Sequence, residues 1–316
     1  MRKKRCKQCF IKEGTALLYD FFAVGKKSEN QKNVTVVSFS ENGLCQYCEA
    51  YNLNFDREYI NEELSDFILN SDSNSEYQAF VALSGGKDSL AALSLAVEVF
   101  EMKVIAFTYD NGFIPQEIIK QSEKICKKLN VPYIVVKKEL YNEFKNEYQP
   151  DKNGVWKAKT GIDFCQICSG GISLAMKRLV EDYKINKIIF GNKIYSQLYP
   201  KVSSIKKLKF LINEEEKEVI TINFLYALQI NSEIQTKVLN GLGWIDPKLP
   251  GYTSNCLIPG FVEYSRSKKI RTHSDAGYIE RELRSNLYTK EEAKELIFAK
   301  KYIDPSSKIT EFFQHI

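Results

Sequence analysis

Three C-x-x-C pairs and one glycine-rich turn carry most of the chemistry this sequence can do. The pairs are Cys6-Lys-Gln-Cys9, Cys45-Gln-Tyr-Cys48 and Cys165-Gln-Ile-Cys168, and Cys126 and Cys256 complete the eight cysteines. The turn is Ser84-Gly85-Gly86-Lys87-Asp88-Ser89, placed directly after an apolar run and before a small-residue helical pattern. A helix N-terminus offers unpaired N–H groups and the positive end of its dipole, and glycines let a phosphate approach the backbone. Lys87 adds a charge that reaches phosphate oxygens. Asp88 suits a magnesium ion or the orientation of the loop. The spacing differs from G-x-x-x-x-G-K-[ST], so this is not a Walker A loop.

In a reducing compartment, C-x-x-C pairs point to metal ligation or redox chemistry rather than to a disulfide framework. The basic start Met1-Arg-Lys-Lys-Arg-Cys6 has no apolar run behind it, so no export signal is expected. No run approaches ~18 consecutive apolar residues, so no membrane span is expected and the location reads as cytoplasmic. Cys6, Cys9, Cys45 and Cys48, with a long spacer between the pairs, read as a four-cysteine zinc ribbon holding a structural ion. The basic residues Arg2, Lys3, Lys4, Arg5 and Lys7 beside it are either a nucleic-acid contact or a solvated tail. Cys165 and Cys168 open a predicted helix, whose N-terminus favours thiolate. Their spacing alone leaves cluster or metal ligation, a redox disulfide and buried structural thiols all open. Cys126, alone on a predicted helix, reads as a packing residue. His273 and His315 stand in no motif and read as surface residues.

The elements that position these groups follow from periodicity. Apolar residues make up 44% and charged residues 27% of the 316, which suits a globular chain with a proper core. The net charge of +5 is compatible with a polyanionic partner without requiring one. Residues 80–83, 104–109, 133–136 and 187–190 read as strands. Residues 57–70, 89–100, 115–129 and 167–183 read as helices. Strands alternating with helices predict a mostly parallel α/β sheet with ligand sites at the strands' carboxyl ends. Residues 201–218 read as a charged loop or hairpin, and 221–239 and 290–300 as helices. The expected division is a zinc ribbon and linker helix over 1–75, an α/β domain over 76–200, and a mostly helical substrate-binding extension over 201–316.

The stretch Phe80-Val-Ala-Leu-Ser-Gly-Gly-Lys-Asp-Ser89 resembles the loop of the N-type ATP pyrophosphatase (PP-loop) superfamily, over roughly residues 78–192. The resemblance implies the Rossmann-like fold of the adenine nucleotide alpha hydrolases. It implies cleavage of ATP between the α and β phosphates, with magnesium, and adenylation of a substrate oxygen that a nucleophile then displaces. Ser84, Gly85, Gly86, Lys87, Asp88 and Ser89 would cradle pyrophosphate. Asp110, within Phe107-Thr-Tyr-Asp-Asn-Gly112, and Gly191 and Asn192 would line the nucleotide cleft.

The C-x-x-C pair followed by a lone cysteine, Cys165, Cys168 and Cys256, resembles the tRNA 2-thiolation sulfurtransferases of that superfamily. There the resemblance implies a [4Fe–4S] cluster on the three thiolates, with an open iron that carries sulfide, or in other members a persulfide. It implies a tRNA or other carbonyl-bearing acceptor; the sulfur donor stays unnamed, and a homodimer is compatible. Lys206, Lys207, Lys209, Lys268, Lys269 and Arg271 would serve an RNA surface. The N-terminal pairs, and the tail from Asp275-Ala-Gly-Tyr to Ala293, instead resemble the N-acetyl sugar amidotransferases. Those take ammonia from a glutaminase partner and need no three-cysteine site.

Overall fold

A computed structural model describes residues 4–14, 16–17, 35–70, 75–158, 164–249, 255–267, 276–298 and 304–315. A six-stranded sheet runs through its middle. Its strands are β1 (Ala79–Ala82), β2 (Val104–Asp110), β3 (Tyr133–Lys137), β4 (Lys187–Phe190), β5 (Ile205–Ile212) and β6 (Glu215–Asn223). In space they run β3-β2-β1-β4-β6-β5. Every neighbouring pair is parallel except the β5–β6 hairpin. The winding therefore reverses between β1 and β4, where Val81 pairs with Ile189. Such a switch point opens a crevice at the carboxyl ends of the two strands.

Alternation along the strands divides the core. Val81, Val104, Ala106 and Ile189 face one side, and Phe80, Ile105, Phe107 and Ile188 the other. All seven residues of β2 are buried, as expected of a central parallel strand covered on both faces.

Helices α1 (Gln46–Asn54) and α2 (Arg57–Leu69) precede the sheet. After β1 comes α3 (Lys87–Ser94), continued by a π turn over Leu95–Val99, and after β2 comes α4 (Gln116–Lys128). Between β3 and β4 lie α5 (Tyr141–Glu147) and α6 (Phe164–Tyr183). Beyond β6 the chain is helical: α7 (Phe224–Ala227), α8 (Ser232–Leu242), α9 (Leu257–Ser267), α10 (Ala276–Arg284), α11 (Lys290–Phe298) and α12 (Ser306–Gln314). Short antiparallel pairs join Ala16–Leu17 to Thr35–Val36 and Tyr148–Pro150 to Trp156–Ala158. Among the described residues, no helix is long and apolar enough to cross a membrane.

The helix expected over 221–239 is corrected. Residues 221–223 finish β6, a single turn follows, and α8 begins only at Ser232. β6 lies between β4 and β5 with Val219, Thr221 and Ile222 buried, and a short apolar run of that kind looks alike in strand and helix. The charged segment before it is a hairpin. Lys207 pairs with Glu218 at 2.9 Å and Lys209 with Glu216 at 2.5 Å, so two of the lysines expected on an RNA surface have acidic partners across the strands. Cys126 packs in the core as expected, and His315 is exposed. Arg2, Lys3, Lys268, Lys269, Arg271 and His273 lie outside the described residues.

One glycine lets the switch point close. A Cβ on Gly191 would stand 2.4 Å from the Asp88 carbonyl carbon and 2.5 Å from the Ser89 nitrogen, both backbone atoms. Gly191→Ala should therefore force the end of β4 away from α3. We expect a loss of about 1–3 kcal/mol in urea unfolding, the usual cost of overpacking; an unchanged midpoint would contradict this contact.

Candidate active site and metal centre

The glycine turn is preformed. Ser84 donates its N–H to the Ser89 hydroxyl at 3.2 Å, and that hydroxyl donates to the Gly86 carbonyl at 3.1 Å. Gly85 has φ +75°, and a Cβ there would lie 2.2 Å from the Ile118 side chain of α4. The first turn of α3 thus presents its free N–H groups to the crevice. Lys87 and Asp88 both open onto it, 37% and 42% exposed. The Lys87 ammonium donates to Asp88 Oδ1 at 2.9 Å, and Gln235 of α8 donates to the same oxygen at 2.6 Å. Burial pulls the Lys87 pKa down, but Asp88 and its acidic neighbours outweigh this and hold it above the usual lysine range. Burial likewise pushes Asp88 up, and Lys87 and Lys193 overcome it, so Asp88 stays ionised.

A cavity of about 420 Å³ sits over this turn, within the usual range of small-molecule sites. Ser84, Gly86, Lys87, Asp88, Ser89, Gly191 and Asn192 line one side. Cys165, Cys168 and Cys256 line the other. The first two turns of α6 carry Cys165 and Cys168, and Cys256 stands just before α9. The three cysteines, separated by up to 91 residues in the chain, therefore meet the Ser84–Ser89 turn in one cavity. Asn111, at the end of β2, joins them: its side-chain amide donates to Cys168 Sγ at 3.3 Å and to Cys256 Sγ at 3.7 Å. Sequence reasoning places Asn111 only beside a nucleotide, and the segment Asp110-Asn-Gly112 holds no signal for a sulfur contact.

Two expectations shift at this site. Asp110 does not line the cavity: its Oδ1 accepts the Gly112 N–H at 2.9 Å and stabilises the turn after β2, where φ of Gly112 is +88°. The wall there comes from Phe107, Tyr109 and Asn111. A helix N-terminus favours thiolate at the pair, yet burial raises Cys168 above the ordinary thiol range, partly offset by the Asn111 hydrogen bond. Cys256, 7% exposed, is pushed up to about 12 by the same desolvation.

The N-terminal cysteines form a different centre. The sulfurs of Cys6, Cys9, Cys45 and Cys48 lie within 4.8 Å of one another, all buried. Cys6 and Cys48 are 3.6 Å apart, as are Cys9 and Cys45, and the Cys45 N–H donates to Cys6 Sγ at 3.3 Å. Hydrogen bonding from Cys45 holds the Cys6 thiol below its ordinary range. Four convergent soft donors make a four-cysteine metal-binding site of tetrahedral type. Among the described residues, no other such set of ligands gathers as tightly. Cys165, Cys168 and Cys256 line the cavity instead, and Asn111 is shared by Cys168 and Cys256.

Known proteins resemble this chain at several levels. The family model described as queuosine biosynthesis protein QueC matches residues 78–160. An uncharacterized protein of Methanocaldococcus jannaschii is 25% identical over 267 residues, 83% of this chain and 88% of that one. A 7-cyano-7-deazaguanine synthase of Methanosphaera stadtmanae is 35% identical over 69 residues, 22% of this chain and 30% of the synthase. Among solved structures, the U34-tRNA thiolase NcsA from Methanococcus maripaludis with its [4Fe-4S] cluster aligns over 97% of this chain and 94% of its own. The identity is 14% and the TM-score 0.40, a distant likeness.

The four-cysteine site is expected to hold its module together. Cys45→Ser should abolish metal binding there and melt the N-terminal module, seen as one metal equivalent lost and rapid proteolysis before residue 56. A variant that keeps both its metal and its protease resistance would contradict a four-cysteine centre.

Proposed function

We propose that this chain works as a PP-loop ATP pyrophosphatase that adenylates a carbonyl oxygen and replaces it with sulfur. One observation carries this reading: Cys165, Cys168 and Cys256 open into the same cavity as the phosphate-binding turn. Sulfur delivered at these thiols would meet an acceptor activated within that cavity.

ATP binds along the carboxyl edge of β1 and β4. The N–H groups of the Ser84–Ser89 turn and the Lys87 ammonium take the β and γ phosphates. Asp88, held ionised by Lys87 and Lys193, is the carboxylate proposed for magnesium. The acceptor oxygen attacks the α phosphorus, the bond to pyrophosphate breaks, and Lys87 neutralises the charge that develops on the leaving group. Sulfur then attacks the activated carbon, and AMP leaves with the former carbonyl oxygen. Cys165, Cys168 and Cys256 would hold an iron–sulfur cluster, which supplies an iron free of protein ligands where sulfide can be carried. Asn111 orients Cys168 and Cys256. Zinc is the proposed ion of the four-cysteine site, a tRNA base the proposed acceptor on the resemblance to the thiolation enzymes, and the cytoplasm the proposed location.

The test is direct. Protein reconstituted anaerobically with iron and sulfide is incubated with ATP, sulfide and unmodified tRNA, and the nucleosides are analysed by mass spectrometry. We expect the mass gain of oxygen-to-sulfur exchange, one AMP per sulfur, and a fall of roughly 10²-fold for Lys87→Ala, as for loss of one charge-stabilising group. ATP cleavage that depends on ammonia, with no sulfur in any acceptor, would overturn the sulfur reading in favour of a glutaminase-fed amidotransferase.

A further inference from the structure

Arg284, the last residue of α10, is 2% exposed and carries a full guanidinium charge into the interior. Its Nε–H donates to Cys48 Sγ at 3.2 Å and its Nη2 to Cys9 Sγ at 3.5 Å. The third nitrogen, Nη1, donates to the Tyr195 hydroxyl at 3.0 Å. One planar fork therefore touches the four-cysteine site with two prongs and Tyr195 with the third. Four thiolates around a divalent cation carry a net negative charge, and a buried guanidinium is the natural counter-charge. Gln8, between Cys6 and Cys9, fixes the same helix end by donating to the Arg284 carbonyl at 3.1 Å.

Tyr195 belongs to the segment 191–195 that leaves β4 and begins with the cavity-lining Gly191 and Asn192. Its backbone carbonyls are held one after another. Asn192 O accepts from the Tyr226 N–H at 3.2 Å, Ile194 O from the Asn223 amide at 2.7 Å, and Tyr195 O from Arg281 Nη2 at 2.7 Å. The Arg281 guanidinium also lies 4.8 Å from the centre of the Tyr195 ring. Two arginines of α10 thus clamp the far end of the segment whose near end packs on the Asp88–Ser89 backbone.

We propose that Arg284 is a positioning residue that couples the four-cysteine metal centre to the ATP cleft: the loaded centre holds Arg284, Arg284 holds Tyr195, and Tyr195 fixes Gly191 and Asn192 against the phosphate-binding turn. This rests on the ATP-binding part of the proposed function and is independent of whether sulfur or ammonia is transferred.

The test uses the full chain with its four-cysteine metal in place. Release of metal to a chromogenic chelator and ATP affinity by equilibrium dialysis are measured for wild type, Arg284→Lys and Tyr195→Phe. Lysine keeps the charge but has one nitrogen, so it cannot reach both sulfurs and Tyr195. Arg284→Lys should lose about 10–100-fold in metal retention, as outer-shell partners do. It should also lose about tenfold in ATP affinity, the scale of one charge-assisted hydrogen bond. Tyr195→Phe should retain metal like wild type and still bind ATP several-fold more weakly, which a merely structural arginine would not predict. Wild-type ATP affinity in Tyr195→Phe, or in a folded Arg284→Lys, overturns the coupling alone. A wild-type protein that binds no ATP overturns it together with the ATP reading. If Arg284→Lys does not fold, Tyr195→Phe decides.

Discussion

The structure depends on a contact between two bare backbones. Where β4 ends, Gly191 lies against the peptide joining Asp88 to Ser89, with no room for a single carbon between them. That contact fixes the first turn of α3 beside the sheet's switch point. The free N–H groups, Lys87 and Asp88 then point into the crevice rather than along the surface. A parallel sheet puts its chemistry at such an edge because the crossover helices cover both faces and leave only the strand ends open. Much of the cavity lining arrives from a strand end or a helix start: the turn after β1, Asn111 after β2, the cysteine pair opening α6, Asn192 after β4 and Cys256 before α9.

The two groups of cysteines sit in different settings. The four-cysteine site is compact, buried and separate from the cavity, and Arg284 is where its charge meets the rest of the fold. Cys165, Cys168 and Cys256 share their cavity with the Ser84–Ser89 turn. Burial disfavours the thiolates of Cys168 and Cys256 in the absence of a cation, most of all at Cys256. A cation, or a cluster with its own positive irons, would reverse that penalty, as metal ligation does for buried thiols generally. Asn111 adds a polar donor that these two sulfurs share.

Much of this was legible in the residues, for physical reasons. SGGKDS after an apolar run announces a strand, a tight turn and a helix start, and the fourth strand falls at residues 187–190 as expected. Paired cysteines mark their centres because ligands close in sequence are close in space. The long-range contacts were not legible in the local residues, and only the family resemblance grouped Cys256 with Cys165 and Cys168. Nothing local to Cys256 says that it shares a cavity with Cys168, and nothing local to Arg284 says that it reaches Cys9 and Cys48, because each contact depends on how α9 and α10 pack back on the fold. The resemblance puts Asp110 in the nucleotide cleft, yet its Oδ1 accepts the Gly112 N–H and it does not line the cavity. The end of β6 reads as helix because its neighbours on both sides, which make it a strand, are supplied by tertiary structure.

Sulfur transfer here requires the three cavity cysteines to act as one site. Anaerobic purification of wild type and Cys256→Ala, with iron and acid-labile sulfide quantified beside the metal of the four-cysteine centre, tests this most directly. A single three-cysteine site gives about four irons and a matching amount of sulfide per wild-type chain, lost in Cys256→Ala while the metal of the four-cysteine centre remains. Background iron in both proteins after reconstitution, with that metal present in each, would contradict it.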